Sequence, residues 1–407
     1  LVTANSKAPM TLDQDNQSST TIRKNDLLSS SSKAKYPPHD VPQQHMLKEL
    51  FSSSSTKKSV HEVVVGSSKN AKSVRRLDGG STCTNPEWNQ LGLDLDGDAA
   101  GDWFGYSVAL SADGTVLIVG APYNDGPTGS VASGAVKVFA KNSSSPLGWE
   151  QLGETLYGDA ANDRAGYSVA ISANGDVIAF GAILNDANGV NSGHVKVFSR
   201  DTFTSLGWNQ IGSNIGGEAA NDQSGFSIAL SGNGETLAIG ARFNDGNGSD
   251  SGHVRIYRPD NASATGWSQV GMDLDGNASN DYCGYSVDLS FDGTIVAVGC
   301  PIANSRKGYV KIFKEDTSVG LGWVQQGDDI VGEATYDWFG FSVALSGLGD
   351  IIAIGGYGND GNGSYSGHVR VYQSDSTSSG WSQLGNDIDG EAAWDNSGCS
   401  VAISYSG

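Results

Sequence analysis

The chain has no apolar run near the roughly twenty residues that a membrane-spanning helix needs, so no such helix is expected. Lysine and glutamate are scarce and charged residues reach only 17% of the 407, which argues against long helices and coiled coils. What the bulk of the chain lacks most is positive charge. Residues 88–407 hold 13 Lys/Arg against 37 Asp/Glu, whereas residues 1–87 hold 12 against 8. A body this acidic repels nucleic-acid phosphate and anionic lipid, leaving cations, basic proteins and neutral glycans as partner classes. There is no initiator Met and no signal peptide at Leu1, so the chain reads as a mature or truncated product whose targeting segment has been removed. Cysteine numbers only four, too few to define a framework by count.

Glycine is abundant, at 56 residues, a profile that suits many short strands joined by tight turns. Residues 1–58 are rich in Ser, Lys, Gln and Pro. They hold too little apolar surface to offset ordering entropy, so a disordered tail is expected there. Arg75-Arg76 reads as part of a basic stretch rather than as a processing site. Six Asn-x-Ser/Thr sequons (Asn16, Asn142, Asn247, Asn261, Asn277, Asn362) suit a secreted glycoprotein; chance in a chain rich in Asn, Gly and Ser explains them equally well.

From Trp88 a period of about sixty residues sets in, and such self-similarity outranks other signals. Its anchors are Trp88, Trp149, Trp208, Trp267, Trp323 and Trp381, each opening a W-x-Q-L-G-like segment. Each but Trp381 is followed by an acidic loop, a G-[YFC]-S-[VI]-[AD]-[LI]-S strand, a two-residue turn, an apolar run, a longer polar loop and a Gly-x-Val-[KR] strand; Trp381 leads only to an acidic loop and the first of these strands. In Tyr106–Ser111 bulky and small residues alternate, as stacked sheets require if one large face fills against its neighbour's small one. Asp113-Gly114, Asn174-Gly175, Asn233-Gly234 and Asp292-Gly293 are hairpin turns by composition. With strands named a (SVALS), b (apolar run), c (Gly-x-Val-Lys) and d (W-x-Q), the expectation is an all-β fold: a β-propeller of four-stranded blades over residues 88–407.

Five complete blades are flanked by a loose d strand and a final a strand (Ser400–Ser404). Residues 59–87 are a linker or the degenerate strands of a further blade. In one alternative, strands b and c from residues 60–67 and 71–77 close a six-bladed ring. In the other, favoured by the poor match of AKSVRRL to GAVKVFA, the chain is cut from a longer, seven-bladed array.

Phe104-Gly105 with Gly120-Ala121-Pro122, and again Phe339-Gly340, resemble FG-GAP-type repeats, the units of integrin α-subunit propellers and of many bacterial and algal surface proteins. The resemblance implies the propeller fold and leaves function open. It does not carry over the integrin-type calcium loops, because the a–b connection here is only two residues.

Acidic loops between strand d and the next strand a offer candidate calcium ligands: Asp94, Asp96, Asp98 and Asp102; Asp273, Asp275 and Asp281; Asp387, Asp389 and Asp395. Against calcium, every copy keeps G-[DEN]-A-x-x-D, so the last aspartate reads first as a cap on backbone N–H groups. His194, His253 and His368 share one position in strand c and read as strand residues, because equivalent positions on separate blades cannot meet. The repeat tryptophans read as packing. Trp103, Trp338 and Trp394 lie in loops and are, with Asp245 and Asp360, the candidate ligand contacts. Cys283 and Cys300 flank one a–b hairpin at facing positions and are expected to form a disulfide. No nucleophile constellation, phosphate loop or zinc spacing is present, so the chain is not expected to be an enzyme. The expected function is an extracellular or cell-surface binding or adhesion module, with a protein or glycan partner on the b–c/d–a loop face. A self-assembling coat or filament component is the alternative, and a propeller enzyme with a site at the central channel mouth the least favoured.

Overall fold

A computed structural model describes residues 63–65 (backbone only), 90–204, 207–318, 322–375 and 380–407. The tail (1–58), Trp88 and all of residues 59–87 except 63–65 lie outside the described residues.

Five antiparallel sheets succeed one another along the chain, each running a-b-c-d in sequence order. Strands a are Ser107–Leu110, Ala165–Ile171, Ser227–Leu230, Ser286–Leu289 and Phe339–Leu345; strands b are Val116–Ala121, Val177–Ala182, Leu237–Ala241, Ile295–Cys300 and Ile351–Gly356. Strands c are Ala135–Lys141, His194–Arg200, His253–Pro259, Tyr309–Asp316 and His368–Ser374. Strand d opens at Trp149, Trp208, Trp267, Gly322 and Trp381, breaks at a glycine, and resumes as a two-residue segment that also pairs with strand c. This is the five-bladed repeat that the period implied, with the turns where the Asx-Gly pairs stand.

The alternating pattern does what stacked blades need. In blade 2, Val169, Ile178 and Phe180 pack against Val116, Ile118 and Val136 of blade 1. The small Ala170 and Ala179 of that same sheet receive Ile228, Leu237 and Ile239 of blade 3. Each buried branched or aromatic side chain contributes about 1.5–3 kcal/mol. Repeat tryptophans fill the outer seams, and the indole N–H of Trp208, Trp267 and Trp323 donates to the carbonyl of Leu152, Ile211 and Val270 on the preceding blade, each at 2.9 Å.

The repeated Gly and Ser residues serve the inner seams. Ser107 Oγ donates to Gly166 O at 2.8 Å, and Ser168, Ser227, Ser286 and Ser342 repeat the bond to Gly225, Gly284, Gly340 and Gly398. A Cβ on Gly120 would lie 2.1 Å from Gly166 O, so only glycine lets the two backbones come this close. Gly166 itself sits at φ +82.

Strand order puts the a–b hairpins on one face and the b–c and d–a loops on the other. On the hairpin face a wreath of backbone bonds runs from blade to blade: Ala112 to Ala173 O, Ala173 to Gly232 O, Gly232 to Phe291 O, Phe291 to Gly347 O and Gly347 to Tyr405 O, at 2.7–2.9 Å. Cys283 and Cys300 are disulfide-bonded, as their places on the hairpin required.

Beyond the fifth blade, Val401–Ile403 pairs antiparallel with Val63–Val65. Val401 faces Val65, one residue before Gly66, just as Val108 faces Val119, one residue before Gly120. The closed-ring alternative requires this pairing and the truncated-array alternative does not. The strand c that closure also needs, at 71–77, lies outside the described residues.

Candidate functional site

The b–c/d–a face is built on an aspartate repeated at each seam. Asp222, buried at the end of its d–a loop, accepts from the N–H of Glu218 (3.1 Å) and Ala219 (2.9 Å) and from Asn244 Nδ2 (3.1 Å) in the next b–c loop. Asp163 does the same with Asp159, Ala160 and Asn185, and Asp337 with Glu333, Ala334 and Asn359. Asp102 takes Ala99 N–H and Asn124, Asp281 takes Ala278 N–H and the Tyr309 hydroxyl, and Asp395 takes Ala392 N–H. Three donors on one buried carboxylate fix two loops to each other without an ion.

The other acids of these loops meet partners that sequence reading missed. The glutamine of W-x-Q reaches the first loop position: Gln90 to Asp94 (2.8 Å), Gln269 to Asp273 (2.6 Å) and Gln383 to Asp387 (2.6 Å). The basic residue of strand c then closes the group. Lys137 pairs with Asp98, Lys196 with Asp159, Arg255 with both Glu218 and Asp273, and Arg370 with both Glu333 and Asp387. Among the described residues no three of Asp94, Asp96, Asp98 and Asp102 bring carboxylates within 4.8 Å of one another. Asp96 and Asp389 are exposed. Asp275 is half-buried, and burial raises its pKa.

The structure instead gathers Glu218 with His253 and Asp273, and Glu333 with His368 and Asp387, donor atoms within 4.8 Å in each set. His253 Nδ1 is 3.4 Å from Asp273 and His368 Nδ1 is 3.6 Å from Asp387. Among the described residues neither group contains histidines of two blades: His253 and His368 each join a group of their own, and His194 joins none. These triads have the size of a metal site, yet the guanidinium of Arg255 or Arg370 already holds both carboxylates. The arrangement works as an ion-pair strut between blades, with the histidine buried beneath half-exposed or exposed carboxylates. Burial, reinforced by Lys196, pushes His194 down to about 4; burial and Arg370 depress His368 likewise. Burial works against ionised Asp273, but His253 beside it and the bonds from Arg255 and Gln269 prevail and hold it well below the usual carboxylate range.

Asp245 and Asp360, read as ligand contacts, are exposed, and each also accepts a backbone N–H of its own loop, from Asp250 and Tyr365 at 2.8 Å. The three loop tryptophans do not behave alike. Trp338 is only 3% exposed, packed against Tyr357 (4.5 Å) and Phe341 (6.4 Å); the expectation of an exposed contact there is corrected, because Tyr357 replaces the proline of GAP and covers it. Trp103, at the same place after the seam aspartate, is 43% exposed and lies against Tyr123 at 4.3 Å. Trp394 precedes the seam aspartate and is 68% exposed. That difference of position was readable in the sequence from the offset to Asp102, Asp337 and Asp395.

Toward the axis, Tyr106, Tyr167, Phe226, Tyr285 and Phe341 succeed one another at 4.9–5.2 Å. Arg242 lies 3.7 Å over Phe226 and is held by Gln223 (2.9 Å). At each seam the residues on both sides of the aspartate are left-handed, as are those facing them in the b–c loop: Ala132 with Asn162, Asn191 with Asn221, Asp250 with Asn280, Arg306 with Tyr336, and Tyr365 with Trp394. The left-handed pair recurs at each of these seams, even where the shorter b–c loop of blade 4 turns through a helical segment at Ala303–Arg306; the side chains it displays change.

Three stretches of the chain, residues 94–139, 216–257 and 332–372, match the FG-GAP repeat. No curated protein sequence matches it. Solved structures that it resembles include a candidate 6-phosphogluconolactonase from Bacteroides uniformis, 13% identical over 73% of this chain and 87% of that one, TM-score 0.44. Another is TolB from Acinetobacter baumannii, 14% identical over 73% of this chain and 56% of that one, TM-score 0.40. At these values neither likeness bears on what the chain does.

Proposed function

We propose that this chain, an FG-GAP repeat protein, is an extracellular or cell-surface binding module that presents its acidic b–c/d–a face to a protein or glycan partner. One observation carries the reading: on that face a constant backbone displays changing side chains at paired left-handed positions, from Asn191 and Asn221 to Tyr365 and Trp394. Variable groups on a rigid scaffold are where recognition is normally placed. The hairpin face, by contrast, is tied into its wreath and has only short turns to vary. The Cys283–Cys300 disulfide is compatible with an oxidising compartment, and no helix among the described residues is long and apolar enough to cross a membrane.

The proposal contains no catalytic step. Calcium is not built into it, because Asp94, Asp98, Asp273 and Asp387 already hold a Gln, Lys or Arg side chain. A second reading, self-assembly, draws on the opposite net charges of residues 1–87 and 88–407. Surface plasmon resonance of the full chain against poly-L-lysine and a neutral β-glucan, with charge reversals across residues 244–251, tests the first reading. Loss of binding with those reversals supports it; binding that survives them and is lost in a–b turn variants overturns the choice of face. Size-exclusion at rising concentration without added partner tests the second, and concentration-dependent association would favour it.

A further inference from the structure

At four of the five seams the facing left-handed pair includes Asn, or Arg306 set over Tyr336 at 5.3 Å. Asparagine is at home in that backbone region, whereas a bulky ring is an outlier there. The seam after blade 5 departs from this pattern. Tyr365 (φ +56) and Trp394 (φ +70) are both left-handed, and their rings stack at 4.9 Å with 8° between planes. The seam's backbone bonds are the usual ones, since Trp394 N–H donates to Ser364 O at 2.9 Å as Asn221 N–H donates to Val190 O at 2.7 Å. The backbone bonding of this seam therefore obtains nothing from Trp394 that Asn221 does not supply at its own seam. Yet this indole stands 68% exposed, where its apolar surface gains little from folding. Backbone strain at an exposed aromatic is a mark of a functional position.

We infer that Tyr365 and Trp394 form a docking platform for a basic polypeptide segment, an arginine or lysine of the partner stacking on the open face of Trp394. The inference rests on the binding-face reading above and names its partner chemistry. The preceding seam is the template: the same two backbone positions hold Arg306 over Tyr336. Arg164 over Tyr123 at 4.7 Å repeats the pairing on this face, and Arg242 over Phe226 at 3.7 Å repeats it toward the axis. Among the described residues no Lys or Arg lies over Tyr365 or Trp394. Tyr365 occupies the place of that arginine and extends the aromatic surface instead. Exposed Asp360 and Glu391 stand in the same two loops and exposed Asp389 ends the strand segment just before them, within a region of 37 acidic and 13 basic residues. A cation gains from the ring face and from this field together; a neutral sugar gains only from the ring.

The test is fluorescence anisotropy of a fluorescein-labelled Gly-Arg repeat peptide titrated with the full chain at about 0.15 M salt. The variants are Trp394→Asn, which restores the residue type of other seams, and Asp389→Lys with Glu391→Lys; melting curves confirm that each is folded. The expected result is that Trp394→Asn weakens binding about three- to tenfold and that the charge reversal weakens it further. Unchanged affinity in Trp394→Asn overturns the platform; if the charge reversal still abolishes binding, the acidic-face reading survives that failure. If neither variant matters, both readings fall. Trp394-dependent binding of cellohexaose, with no binding of the peptide, overturns the basic partner and puts a glycan in its place.

Discussion

The two faces of the propeller use the same repeat in opposite ways. On the hairpin face each blade hands one N–H to the next hairpin's carbonyl, Ala112 through Tyr405, and the turns that join strands a and b are of minimal length. On the loop face the seam aspartates fix the backbone just as firmly, but the residues beside them range from Asn162 through Tyr336 to Trp394. The lesson is that a repeat can keep hydrogen bonding constant and still vary what it shows, provided one buried group per seam carries the structure. Asp222 is such a group; Trp394 is not.

The sharpest way to break this comparison is at the inner seam that both faces share. Gly166→Val adds a branched side chain at φ +82, where even a Cβ would lie 2.6 Å from Ala135 O. A loss of about 4 kcal/mol or more is expected, read as failure to fold or a steep fall in melting temperature. Asp222→Ala strips three donors of one buried acceptor and should cost about 3 kcal/mol in denaturant unfolding; a loss near zero would mean that the loops do not depend on the aspartate.

Acid should loosen the loop face before the hairpin face. His194 is held at about 4 in the folded chain, against about 6.5 unfolded. Between those values the unfolded state binds the extra proton, so stability falls as pH drops from 6.5 to 4. That histidine contributes up to about 3 kcal/mol of the loss, and below pH 4 its contribution to the slope ends. Urea midpoints across this range check the sign, and a His194→Gln variant should flatten the curve.

Closure is tested by Val64→Pro, which removes a ladder donor opposite Ala402. About 2 kcal/mol should be lost, and an unchanged melting temperature would mean that the strand does not hold the ring. The smallest effect is expected from Trp394→Asn, within about 1 kcal/mol of the parent and on the stabilising side, since it relieves a left-handed tryptophan. A large destabilisation there would make Trp394 a structural residue and erase the contrast with Asp222.

Much of the fold was legible because each blade repeats its punctuation. The Trp anchors, the Asx-Gly turns and the alternation in Tyr106–Ser111 placed the strands, and the two cysteines beside one hairpin gave the disulfide. What stayed hidden were contacts between copies. That Gln269 and Arg255 share Asp273 depends on where strands c and d lie side by side. That Arg255 also takes Glu218 depends on a loop entering from the blade before. The acidic loops looked like ion sites because their counter-charges sit elsewhere in the period, on strand c. Trp103, Trp338 and Trp394 looked alike until their offsets from the seam aspartate, and the cover that Tyr357 gives Trp338, separated them.

The seam bond from serine to glycine also has a direction. Ser107 gives to Gly166, Ser168 to Gly225, and so on to Gly398, and no blade gives backwards in this series. Every sixty-residue unit thus arrives with one acceptor for the unit before it and one donor for the unit after it. A duplicated or excised unit would leave matching ends on both sides, so the number of units in such a chain is not limited by the chemistry of the joint. What remains to limit it is the packing between sheets, where Phe180 fills against the blade before and Ala179 leaves room for the blade after.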